Sequence, residues 1–244
     1  MEVHAHPQTP RKKWIHYFWE FLMLFLAVFC GFLAEYQLEH VIEKQREKEY
    51  IKSFIEDLKL DTTTITDNIH WKQNKIKQYD TLIHYLNEED PNQHGRTIYF
   101  YARQLIRTRN FFSADRTVKQ LKNSGGLRLI KSVPASDSIM AYDVSVERIY
   151  LNQVRQEDEI NVLRTITGKV LDANILETMI AGEEIYPPAG NPPLRNTDRE
   201  LLHDFIYDIH QYKSSDVVNT SALLKLKGKA TGIIQFLQNE YHLK

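Results

Sequence analysis

Glu20 is the only acid between Trp14 and Ala34, and His16 stands one helical turn before it. A carboxyl and an imidazole four residues apart can share a proton or a hydrogen bond, and an acid in so greasy a run is costly unless it faces a partner or a polar path. The other histidines offer less. His4-x-His6 is a weak, open pair, and His40, His70, His84 and His94 are scattered. His203 and His210, seven residues apart beside Asp204 and Asp208, form the best local cluster, for which a solvated helix face is the expected setting. There is no HExxH motif and no paired Glu-x-x-His pattern of the di-iron type. There is no G-x-S-x-G elbow either, and the single cysteine, Cys30, lies inside the apolar run. Gly125-Gly126 has no GK[ST] after it, so it is not a phosphate loop. No catalytic residue, metal or cofactor is expected, and the chain is not expected to be an enzyme. Its 31 basic and 32 acidic residues leave no basic excess for nucleic acid.

The element that must position Glu20 is a helix. Twenty-one residues from Trp14 to Ala34 span roughly 32 Å, matching a hydrocarbon core of about 30 Å. A cleaved signal peptide should have a shorter apolar region and a small-x-small site, where this run has Phe29 and Phe32. Starting the span after Glu20 would leave it too short, so Glu20 belongs to it. At 100° per residue, His16, Glu20, Met23, Ala27, Gly31 and Ala34 fall within roughly 80° of arc. Trp14, Phe18, Phe21, Phe25, Phe29 and Phe32 collect on the opposite side. Ala27-x-x-x-Gly31 is a small-xxx-small pattern that lets helices approach closely. His16, Glu20, Ala27, Gly31 and Ala34 are therefore the candidate transmembrane contact face. The cluster Arg11, Lys12, Lys13 favours a cytoplasmic amino terminus.

Beyond the span the pattern is helical throughout. Residues 51 to 86 carry a 4-3 seam (Ile51, Ile55, Leu58, Thr62, Ile65, Ile69, Lys72, Ile76, Tyr79, Ile83, Leu86) of the coiled-coil or bundle kind. Residues 96 to 112 read as a second helix with Ile98, Ala102, Leu105 and Phe112 on its core face. A short helix capped by Ser113 or Asp115 ends at Gly125-Gly126. A longer seam from Ile139 to Val170 implies a helix antiparallel to the first. Residues 181 to 196, with four prolines, form the one extended loop. Thr197-x-x-Glu200 reads as a capping box opening a further helix, and a last one runs from Asp216 to Tyr241 with Gly228 and Gly232 placed for a close contact. The expected fold is all-α. Residues 1–13 form a short cytoplasmic head, 14–36 a transmembrane helix, 37–90 a helical stalk, and 91–244 a helical bundle domain packing with the stalk, the extracytoplasmic part having five or six helices in all.

The membrane segment, the stretch "QREKEYIKSFIEDLKLD" and the later "ADRTVKQLKNSGGLRLI" together resemble a family of small single-pass membrane proteins of Bacteroidota, built around a helical domain of unknown function. The resemblance covers most of the chain and implies a membrane-anchored helical protein in an envelope with two membranes. It implies no catalytic or binding residue. The expected function is a scaffold, sensor or interaction module in the inner (cytoplasmic) membrane with a periplasmic carboxyl-terminal domain. Its expected partners are the lipid bilayer and a second copy or another envelope protein. An acid near the cytoplasmic end of a single span also resembles the stator subunits of ion-driven motors. That supplies the alternative, an ion-motive or channel-accessory subunit using Glu20.

Overall fold

The computed structural model describes residues 14–243. His4, His6 and the cluster Arg11–Lys13 lie outside them. Six α-helices account for most of the described chain: α1 (Trp14–Leu86), α2 (Gly95–Leu105), α3 (Arg116–Asn123), α4 (Val133–Val170), α5 (Ala173–Thr178) and α6 (Arg199–Glu240). A small antiparallel hairpin, β1 (Ile180–Ala181) and β2 (Glu184–Ile185), sits between α5 and α6. The chain divides into two units, Met1–Glu49 and Tyr50–Lys244, so α1 contributes to both.

In the second unit the fold is all-α, and its core has two apolar clusters. The first joins Ile51 to Ile69 of α1, Val118 and Leu121 of α3, Ala135 to Ile149 of α4, and Leu223 to Leu237 of α6. The second joins Tyr79 to Leu86 of α1, Ile98 to Leu105 of α2, Ile160 to Val170 of α4, and Leu202 to Tyr212 of α6. The order of these residues gives the helix directions. From residue 51 onward α1 passes from the first cluster to the second, and so does α4; α6 runs back. The helix from Val133 is thus parallel to the α1 stretch it packs with, not antiparallel as the seam suggested. The reason is the crossover. Helix α2 belongs to the second cluster and α3 to the first, so the intervening chain carries α4 back to its starting end before it begins.

The α4 seam is buried at every position expected, including Gln153, Gln156 and Thr167. The α1 seam is wider than a 4-3 line. Thr62, Ile76 and Ile83 are half-buried, while Phe54, Asp57, Asp61, Asn68, Lys75 and Leu82 lie inside.

Three other boundaries move. Helix α2 stops at Leu105, because the backbone of Phe111 is held by Gln153, whose Oε1 accepts from its N–H at 2.7 Å and whose Nε2 donates to its carbonyl at 3.2 Å. That pins Phe111, not Phe112, in the core. Helix α6 starts after Asp198, whose carboxylate accepts from the N–H of Leu201 at 3.0 Å, so Thr197 is not the cap. The two helices expected after the proline loop are one, because Asp216 is buried mid-helix. Gly228 and Gly232 are exposed, and a Cβ on either would meet nothing within 4 Å, so neither serves a close contact here. Gly125 takes the expected positive φ of 65° after α3. Gly182, with φ 62°, starts the two-residue turn of the hairpin inside the expected loop.

Candidate functional site

The first candidate lies on the amino-terminal part of α1. Helix geometry places His16, Glu20, Ala27, Gly31 and Ala34 on one stripe, and all five are exposed. His16 Nε2 and Glu20 Oε1 are 3.9 Å apart, with both side chains about half exposed (50% and 54%). On the back, Phe21, Phe25 and Phe29 stack in a ladder with ring centroids 6.3 and 5.9 Å apart. Fourteen large apolar side chains between Trp14 and Leu33 are at least 43% exposed. At about 1.5–3 kcal/mol per side chain, leaving them in water forfeits on the order of 20 kcal/mol or more. By length and composition this stretch can cross a membrane, and it is the one such helix among the described residues.

The second candidate is a polar layer in the bundle, between the two apolar clusters. Asp216 of α6 is fully buried. Its Oδ1 accepts from Lys72 Nζ at 2.6 Å and from Gln156 Nε2 at 3.1 Å, and its Oδ2 accepts from the Tyr79 hydroxyl at 2.8 Å. Three long helices thus meet on one carboxylate. Burial, reinforced by the Asp216 charge, pushes the Tyr79 and Tyr212 phenols far above their ordinary range, so they stay protonated and Tyr79 keeps donating. This layer aligns the helices: sliding α1 or α6 by a residue would part the buried Lys72–Asp216 pair, and sliding α4 would take the Gln156 amide from the carboxylate.

About three to four turns of α1 before Lys72, Asp61 and Asp57 grip the segment leading into α3 and its first turn. Asp57 Oδ2 accepts from the Thr117 N–H at 3.0 Å and its hydroxyl at 2.7 Å, while Oδ1 receives the Arg116 guanidinium. Asp115 occupies the N-cap position of α3 but its side chain makes no cap hydrogen bond; Asp57, sixty residues before Thr117, supplies it instead. Asp61 accepts from the Ala114 N–H and the Tyr142 hydroxyl, both at 2.6 Å, and from the Ser113 hydroxyl. Burial raises the Asp61 carboxyl above its ordinary value, although those three donors pull the other way.

Lys75 is the remaining unusual cation. It is 4% exposed, donates to the carbonyl of Gln104 at the end of α2, and lies 5.2 Å from the Trp71 ring. Burial depresses its amine to about 8, with Arg107 pushing the same way and Asp216 opposing.

Of the sequence-level candidates elsewhere, His203 and His210 are exposed on α6, and Asp208 is raised by burial and by Asp204. No trio of His, Cys, Asp or Glu converges as a metal site among the described residues. The residues that organise the bundle (Asp57, Asp61, Lys75 and Asp216) were invisible as a set, because their partners lie 29 to 144 residues away. The one available signal was Lys72, the single charge on a seam that is apolar apart from Thr62. Compared with known proteins, the chain matches no family model, no curated protein and no solved structure.

Proposed function

We propose that this chain is a single-pass, membrane-anchored helical protein of the bacterial envelope, acting as a scaffold, sensor or interaction module. The observation that carries this is the exposed and largely apolar surface from Trp14 to Leu33, a surface that water does not tolerate and a bilayer does. Trp14, Tyr17 and Trp19 at one end and Tyr36 at the other fit the aromatic belts of a membrane-spanning helix. The basic cluster Arg11–Lys13 orients the amino terminus to the cytoplasm and the bundle to the periplasm. Within the bilayer, the stripe of His16, Glu20, Ala27, Gly31 and Ala34 takes a second copy or another envelope protein. The small residues permit close approach, and Glu20 stays off the lipid.

The test is a membrane two-hybrid or crosslinking assay on the full chain. Gly31→Ile weakens association, while the same change at Phe25, on the aromatic back, leaves it intact. Equal behaviour of the two variants would sink the contact face. Glu20→Gln separates the ion-path alternative: loss of an ion-dependent activity with assembly preserved would favour that reading instead.

A further inference from the structure

A cleft of about 520 Å³ opens where α1, the segment after α2 and the β-hairpin meet. That is within the range of small-molecule sites. Its α1 wall presents Trp71, Lys75 and Gln78 at i, i+4 and i+7, so one helix face carries a flat ring, a cation and an amide. Arg107 and Arg109 enter from the segment after α2, and Glu183 and Glu184 from the hairpin turn and β2.

Each of these groups has capacity to spare. The Lys75 amine has three N–H donors, and one goes to the Gln104 carbonyl. A lysine that did nothing but cap α2 would need no more. Arg107 is fixed by donating to the carbonyl of Glu183 at 3.1 Å, and Arg109 stands exposed beside it. Three cations therefore converge on a concave surface against two carboxylates, an arrangement that draws anions. Gln78 Oε1 is buried and has no hydrogen-bond partner among the described residues. A buried amide oxygen without a donor is costly, which marks the place where a donor is wanted.

We propose that this cleft binds a small organic oxyanion that also carries a hydroxyl or amino group. Lys75 and the arginines hold the oxyanion, Gln78 Oε1 accepts from the hydroxyl or amine, and the carbon skeleton lies against Trp71. Carboxylates and phosphate esters share this chemistry. The site belongs wholly to the second unit and stands whether or not the chain spans a membrane.

The experiment is isothermal titration of the full chain in detergent micelles at neutral pH with citrate, glycerol 3-phosphate and inorganic phosphate. At least one organic probe should bind saturably at a single site and more tightly than inorganic phosphate; which one it is assigns the oxyanion. Arg109→Ala, at an exposed position where the fold is not at stake, weakens that binding by about tenfold or more. Gln78→Leu erases the preference over inorganic phosphate. Absence of saturable binding by both organic probes, or binding that Arg109→Ala leaves unchanged, overturns the proposal. A Gln78→Leu variant that keeps the preference contradicts the donor assignment.

Discussion

Asp216 and Glu20 both sit among apolar residues, and they are treated in opposite ways. Asp216 is enclosed by its own chain, with Lys72, Tyr79 and Gln156 filling its acceptor positions. Glu20 lies on an exposed apolar stretch, with His16 at 3.9 Å beside it. The bundle answers its buried charge internally, because an uncompensated ion in a core costs several kcal/mol. The amino-terminal stretch has no such enclosure among the described residues, and its apolar side chains stand exposed. An acid in apolar surroundings is thus a structural element where the fold supplies its donors, and a candidate interaction element where the fold supplies none of the covering.

The comparison breaks most visibly at Asp216. Asp216→Ala strands Lys72 and should cost about 3–5 kcal/mol in denaturant unfolding of the full chain in detergent. Pairing Lys72→Met with Asp216→Leu should recover only part of that loss, since the stranded charge is gone while the Tyr79 and Gln156 donors still lack their acceptor. A single variant that unfolds like the parent would remove the polar layer from the account.

Lys75 gives the next largest effect, read through pH. Its amine falls from an ordinary 10.5 to about 8 in the fold. Below about 8 both states hold the proton and the full penalty is present. Between about 8 and 10.5 the unfolded chain holds more protons, so this group's contribution to stability rises with pH. The parent should gain about 2 kcal/mol relative to Lys75→Met between pH 7.5 and 9.5. Parallel pH profiles would mean that Lys75 is not desolvated.

Asp57→Ala removes the remote cap of α3 and should cost about 1–2 kcal/mol. Hydrogen exchange at Thr117 should quicken before the rest of the bundle does. At the small end, Glu20→Gln should leave bundle unfolding within about 0.5 kcal/mol of the parent. A larger shift would show that Glu20 supports the fold, as Asp216 does.

Much of the fold was legible because apolar spacing survives single substitutions. The α4 seam, with glutamines at two of its positions, predicted burial correctly along its length. What escaped was charge that acts at a distance. Asp57, Asp61 and Lys75 stand beside apolar seam positions and read as solvent-facing, and only Thr117, Ser113 and Gln104 bring them inside. Asp216 misled in a specific way. "SSDVVN" looks like a helix start because Ser and Asp are favoured caps, yet the aspartate is there for Lys72, 144 residues earlier. Helix direction was lost for a similar reason: a seam shows which face packs, not which way its partner runs. On the apolar side the stripe was read from periodicity alone, and the continuous helix of α1 keeps its residues aligned.

The central claim is that residues 14 to 36 remain in the protein and hold it in a bilayer. The most direct measurement is the intact mass of the full-length chain recovered from alkaline-carbonate-washed membranes of the expressing cell. The account predicts a chain that resists the wash and retains Trp14 to Tyr36. Release into the wash, or a mature mass showing cleavage within that segment, would contradict it.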